Sequence, residues 1–234
     1  MTAKQISKTL RELANPAIAE KSQRFFKTSE GDYGEGDRFL GIRVPVLREL
    51  TKTYQATTLS EIQTLLKSVF HEERLFALLL LVRQFTKGNE LEKKNIYQFY
   101  LQNTQYINNW DLVDSSAYQI VGVYLEDRDR QILYQWVKSE SLWERRIAVM
   151  STFQFIRKNQ FEDTLKLSQQ LLHDPEDLIH KAVGWMLREV GKRDLSLEKD
   201  FLKTHYKQMP RTMLRYAIEK FPPSERQLYL QGQI

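Results

Sequence analysis

The chain has 234 residues, no cysteine, nine glycines, six prolines and a formal charge of +5. Such a length gives one large domain or two small ones, with a core that needs no covalent staples. Without cysteine there is no disulfide framework, thiolate zinc site, iron–sulfur cluster or cysteine nucleophile, which suits a reducing cytoplasm. Scarce glycine and proline leave few tight turns, so long helices are expected.

In chain order, residues 1–15 read as an amphipathic helix, with Ile6, Leu10 and Leu13 at helical spacing. Charges throughout and no apolar stretch exclude a secretory signal, and Glu12 and Glu20 argue against a transit peptide. Pro16 suits the first turn of a second helix. The one concentrated loop signal is Gly31 to Gly41, GDYGEGDRFLG, with four of the nine glycines. It lacks the GK[ST] ending of a phosphate-binding loop and reads as a flexible connector between helix pairs. Thr58, with Glu61 three residues on, has the spacing of a capping box. The apolar run that ends at Val82 is far shorter than the roughly 20 residues of a spanning helix, so no membrane partner is expected. Pro175, Pro210 and Pro222–Pro223 fall between apolar-periodic segments, where helices start and stop. No stretch alternates with period two, so no sheet is expected.

Four windows repeat: His71 to Val82, Tyr106 to Ala117, Leu142 to Phe153 and Asp177 to Arg188. Their starts lie 35, 36 and 35 residues apart. Small or apolar residues recur at the sixth to eighth positions, and each window leads into a polar break and another amphipathic stretch. That is the signature of helical-hairpin repeats, which stack so that equivalent positions line up along one surface.

The fifth positions are Leu75, Trp110, Arg146 and Lys181; the ninth are Leu79, Asp114, Met150 and Trp185. Residues four apart share a helix face. Stacked units would therefore align two tryptophans, an aspartate and two cations. Such a cluster suits a nucleobase or sugar beside a phosphate: aromatics pack on bases, arginine grips phosphate, and a carboxylate stabilises positive charge on a sugar. The other reading is tryptophans in the core and charges in local pairs. The whole charge excess lies between Lys181 and Lys220. Lys181, Arg188, Lys192, Arg193, Lys199, Lys203, Lys207, Arg211 and Arg215 would track a nucleic-acid backbone there, or form a solvated surface.

Four segments resemble the AlkD-like DNA alkylation repair family: Phe39 to Pro45, Asn109 to Asp114, Trp143 to Val149 and Lys181 to Glu189. The resemblance runs from about Ala17 to Lys220. It implies an all-α fold, a right-handed superhelical solenoid of HEAT-like helical-hairpin repeats, as a single domain over residues 1–234. It implies a monofunctional DNA glycosylase that removes cationic N3- or N7-alkylated purines from double-stranded DNA, acting as a monomer without metal or other cofactor. The expected location is the bacterial cytoplasm, at the nucleoid during repair. The catalytic aspartate of the family's W-x-x-x-D motif matches Asp114 and its tryptophan Trp110. The cleft arginine matches Arg146, with Arg145 as the alternative, and the second cleft tryptophan matches Trp185. Arg43, in the first segment, joins Arg145, Lys181, Arg188, Lys192, Arg193, Arg211 and Arg215 as an expected DNA contact. The family's N-terminal lesion-side aromatic falls near Phe25 or Phe26, without a tyrosine hydroxyl. Some relatives of this fold bind unusual DNA structures without excising bases, and such a non-catalytic binder of branched or damaged DNA is the alternative function. A plain protein-interaction scaffold is a third.

Overall fold

Side-chain caps open six of the α-helices, behind Thr2, Asn15, Asn89, Asn109, Ser141 and Asp194. A computed structural model describes residues 1–234. It contains fourteen α-helices and no sheet; the one bridge joins Arg38 to Phe70. The chain divides into two compact units, Met1–Ile120 and Val121–Ile234.

The first unit holds α1 (Ala3–Glu12), α2 (Pro16–Phe25), α3 (Val44–Thr53), α4 (Leu59–Leu66), α5 (His71–Lys87), α6 (Glu90–Gln102), a 3₁₀ turn (Thr104–Tyr106) and α7 (Trp110–Asp114). Pro16 opens α2 as expected, behind an Asn15 cap. In α1, Ile6 and Leu10 are buried, but Leu13 lies past the helix end and is exposed. The expected box at Thr58 does not form: Thr58 bonds Ser60, and Glu61 turns away to accept the Ala3 amide at the start of α1. Capping boxes form instead at Thr2–Gln5 and Asn89–Glu92.

Helix α5 is the core of this unit, with α3, α4, α6 and α7 against it. Phe76, Leu78, Leu80 and Leu81 are fully buried. Its first turn, His71-Glu72-Glu73-Arg74, is buried too, although all four residues are polar. Buried polar groups need partners, and here each finds its own. Glu72 accepts the amides of Leu40, Gly41 and Ile42 at 2.7, 2.7 and 3.2 Å. Glu73 takes Ser7, Arg11 and Ser68. His71 and Arg74 reach Asp37. The Gly31–Gly41 loop is therefore no flexible connector: its second half is pinned to α5. Gly41 has φ +80°, and a Cβ there would meet the Asn15 carbonyl at 2.2 Å, so only glycine serves.

The second unit holds α8 (Gln131–Trp136), α9 (Leu142–Arg157), α10 (Glu162–Gln170), α11 (Asp177–Gly191), α12 (Leu195–His205), α13 (Arg211–Ala217), a 3₁₀ turn (Ile218–Lys220) and α14 (Pro223–Gln231). Helix α9 packs on α8, α10 and α11, and α11 packs on α10, α12 and α13. The approach of α11 to α13 is close because Gly184 has no side chain; a Cβ there would meet the Met213 carbonyl at 2.4 Å. Pro175, Pro210 and Pro222 precede helix starts, as expected, and Pro223 is the first residue of α14. No helix is long and apolar enough to cross a membrane.

Three of the four windows begin on the first residue of a long helix: α5 at His71, α9 at Leu142 and α11 at Asp177. The second departs from the pattern. It opens in the 3₁₀ turn, its helix α7 has only five residues, and a π-helical turn, Tyr118–Gly122, follows. The irregular window is the one that carries Trp110 and Asp114.

Glu198 on α12 is 2 % exposed, and its Oε1 has no partner. Burial pushes its carboxyl up to about 8, against the pull of Arg188 and Lys199. The unfolded chain ionises near the ordinary value of 4.5 while the folded chain stays protonated. Stability therefore falls as pH rises from about 4.5 to 8, by about 1.4 kcal/mol per unit. Glu198→Gln removes this loss. At pH 8 the variant is expected to be more stable in urea by about 4 kcal/mol, and at pH 4.5 equal to the parent. An equal denaturation midpoint at pH 8 would show that Glu198 is ionised at no cost.

Candidate functional site

The site in the first unit is built on α7. Asn109 precedes the helix; its Oδ1 accepts the Trp110 amide at 2.8 Å, and its Nδ2 donates to Asp37 Oδ2 at 3.1 Å. That pair of hydrogen bonds fixes where Trp110 leaves the backbone. The indole then stacks on Phe26, centroids 5.1 Å apart and planes 13° from parallel. Phe26 in turn stacks on Phe39 at 4.9 Å and lies 5.0 Å from the His71 ring. Phe25 meets Trp110 edge-on at 5.9 Å and is 68 % exposed. Both phenylalanines at the expected lesion-side position therefore abut Trp110, and Phe26 forms the stack.

Asp114 sits one turn after Trp110 on the same short helix and is half-buried. Its charge reaches the buried Tyr100 hydroxyl. Burial pushes that hydroxyl up, a bond with Ser116 pulls it down, and Asp114 adds to the rise. A carboxylate thus lies one helical turn from Trp110, whose edge-on neighbour Phe25 is exposed.

Beneath the stack lies a charged network. His71 Nδ1 is 3.1 Å from Asp37 Oδ2, and Nε2 is 2.7 Å from Asp111 Oδ2. Arg74 donates to Asp37 Oδ1 at 2.6 Å. Burial alone would favour the neutral imidazole. The Asp111 charge and hydrogen bond, with the Asp37 bond, outweigh it and hold the ring up at about 9. Asp37 is lowered: burial raises it, but the His71 bond and the Arg74 charge win.

In the second unit the expected residues fall differently. Arg146 is 4 % exposed, and its guanidinium donates to the Leu178 carbonyl of α11. It is built into the α9–α11 packing, which does not suit the phosphate grip that the resemblance implied. Arg145 offers no substitute: it pairs with buried Asp174 at 2.6 Å and donates to the carbonyls of Ser139 and Glu140. Trp185 is half-buried, lies 6.4 Å from Phe153 and donates to Glu189 at 3.2 Å. The expected common face is exposed only in part. Leu75, Leu79, Arg146 and Met150 are buried, whereas Trp110, Asp114, Lys181 and Trp185 are half-buried.

Many cations of the basic stretch are held in ion pairs. Lys181 pairs with Asp177, Arg188 with Glu219, Lys192 and Arg193 with Glu189, and Lys199 with Glu225. Arg211 and Arg215 of α13 are exposed, Arg211 donating to the Leu230 carbonyl, and Arg43 is exposed ahead of α3. Sequence reasoning missed Asp37, Phe39, His71, Arg74, Asn109 and Asp111. The signal that could have found them is the run of four polar residues at the start of the longest helix.

Helical hairpins with this tryptophan–aspartate turn define an all-helical HEAT-like repeat protein. The chain belongs to the DNA alkylation repair enzyme family, whose model matches residues 6–221. Similar solved structures include a predicted DNA alkylation repair enzyme from Enterococcus faecalis, 19% identical, covering 90% of this chain and 97% of that one, with a TM-score of 0.70. AlkD2 from Streptococcus mutans is 18% identical, covering 88% and 98%, with a TM-score of 0.56. A third represents a family related to the HEAT-like repeat DNA glycosylases with affinity for branched DNA structures; it is 13% identical, covering 100% and 96%, with a TM-score of 0.62. At these identities the likeness is one of fold. No curated protein matches the chain.

Proposed function

We propose that the protein is a monofunctional DNA glycosylase that hydrolyses the N-glycosidic bond of cationic N3- or N7-alkylated purines in duplex DNA. The observation that carries this reading is the α7 turn: a carboxylate one helical turn from a tryptophan whose face is held by Phe26. Membership of the DNA alkylation repair enzyme family supports it.

Alkylation makes the purine a good leaving group, so no general acid is needed. The C1′–N bond breaks with its electron pair going to the purine, which leaves neutral. Positive charge builds on the deoxyribose, where the Asp114 carboxylate stabilises it and orients a water. The water oxygen bonds C1′, and its proton passes to Asp114 and on to solvent. Trp110 and Phe25 pack against the sugar and backbone beside the lesion. Trp185 with Phe153 offers a second aromatic surface, and Arg43, Arg211 and Arg215 contact phosphates. Arg146 and Arg145 are read as structural. The test is base release from methylated duplex DNA.

A second reading is binding to branched or damaged DNA without excision. The burial of Arg146 and the two phenylalanines in place of a tyrosine favour it. It predicts tight, steeply salt-dependent binding and no free base. A duplex titration at two salt concentrations separates both from a protein-interaction scaffold, which would show neither affinity nor salt dependence.

A further inference from the structure

We propose that His71 is the positioning residue of the Trp110–Asp114 turn: its ring ties α7 to the Gly31–Gly41 loop and backs the aromatic stack on which Trp110 lies. The inference rests on the reading of that turn as the reacting face, but its geometry stands without it.

Both ring nitrogens face carboxylate oxygens, Asp37 Oδ2 at 3.1 Å and Asp111 Oδ2 at 2.7 Å. Ionised carboxylates only accept hydrogen bonds, so both nitrogens must carry protons and the ring is an imidazolium. Asp111 follows Trp110 directly and precedes Asp114 by three residues, so the bond to Asp111 grips the short helix between its two functional side chains. Asp37 also accepts Asn109, whose other side-chain atom caps the Trp110 amide. The ring face stacks on Phe39 at 4.6 Å and lies 5.0 Å from Phe26, which carries the indole. His71 therefore touches α7 by one edge, the loop by the other and the stack by its face. The charged groups around it are Asp37 from the loop, Asp111 from α7 and Arg74 from its own helix.

A helix of five residues has little cooperative stability of its own. Its orientation depends on such ties. Loss of the ring proton removes one of the two bonds, so the turn loosens as pH rises through the His71 value of about 9. The Asp111 charge does most to hold that value up, and removing it moves the transition to lower pH.

The experiment is fluorine NMR on the full chain labelled with 5-fluorotryptophan. There are four tryptophans, and Trp110 is assigned by loss of its resonance in Trp110→Phe. The Trp110 resonance is expected to titrate with a midpoint near 9. The midpoint falls by about one unit or more in Asp111→Asn, and the transition disappears in His71→Phe, which keeps the ring stack. If His71→Phe does not fold, Asp111→Asn alone decides. Excision of methylated purines is expected to fall about tenfold in His71→Phe with DNA affinity changed less than about threefold. A Trp110 resonance that is flat from pH 6 to 10, or a midpoint unmoved in Asp111→Asn, overturns the inference even if the protein excises bases. Absence of excision by the parent protein would instead remove the glycosylase reading and leave the titration standing.

Discussion

Asp114→Asn is expected to lower excision of methylated purines by at least about tenfold, about 1.4 kcal/mol of barrier, while duplex affinity stays within a factor of about two. The amide fills the same space on α7 and leaves the Trp110–Phe26 stack in place. It cannot stabilise positive charge on the sugar as a carboxylate does. Single-turnover rates on methylated duplex, with binding measured in parallel, check this. Equal loss of rate and affinity would mean that Asp114 holds the fold or the DNA, not the developing charge. An unchanged rate would take Asp114 out of the chemistry altogether.

Asp37→Ala is expected to cost about 3–5 kcal/mol of stability, because it leaves buried cations without their partner. Asp37 is 7 % exposed and serves Arg74, His71 and Asn109 at once. Arg74, itself 5 % exposed, and the His71 ring would both lose a carboxylate. Asp37→Asn keeps an acceptor and is expected to lose about half as much. Urea denaturation at pH 6 and pH 10 also tests the sign of the linkage. The His71 pKa is raised in the fold to about 9. Its contribution is fully present below the unfolded value near 6.5 and is lost as pH rises through 9. The penalty of Asp37→Ala therefore shrinks at pH 10. A loss below about 1 kcal/mol at pH 6 would mean that the network is a surface ornament, worth no more than an exposed ion pair.

The helical fold was legible because its signals are local. The windows that begin at His71, Leu142 and Asp177 place apolar residues at helical spacing behind polar starts, and each coincides with the first residue of a long helix. Trp110 and Asp114 were legible as a pair because four residues make one turn. What lay beneath them was not. Asp37 and His71 are 34 residues apart, and His71 and Asp111 are 40 apart, so no periodicity links them. Asp37 stands in a glycine-rich run, where turn chemistry hides a buried carboxylate. The Thr58–Glu61 spacing misled for a related reason. A capping box is a local option, and a distant amide, that of Ala3, won the Glu61 carboxylate.

The basic stretch carries a similar lesson about charge. The pairs Lys181–Asp177 and Arg193–Glu189 are four residues apart and readable in sequence. Arg188–Glu219 and Lys199–Glu225 join α11 and α12 to later segments and are not. Net charge survives such pairing, but the guanidinium heads are turned toward protein acceptors. The Arg146 head donates to the Leu178 carbonyl of α11, a partner 32 residues away that no local spacing reveals.

The most direct measurement is release of free base from duplex DNA treated with a methylating agent, with parent protein and Asp114→Asn side by side. The parent is expected to release 7-methylguanine or 3-methyladenine and to leave abasic sites, and Asp114→Asn to bind the same duplex with little release. Well-folded parent protein that binds the methylated duplex and releases no base would contradict the glycosylase reading and leave a DNA-structure binder in its place.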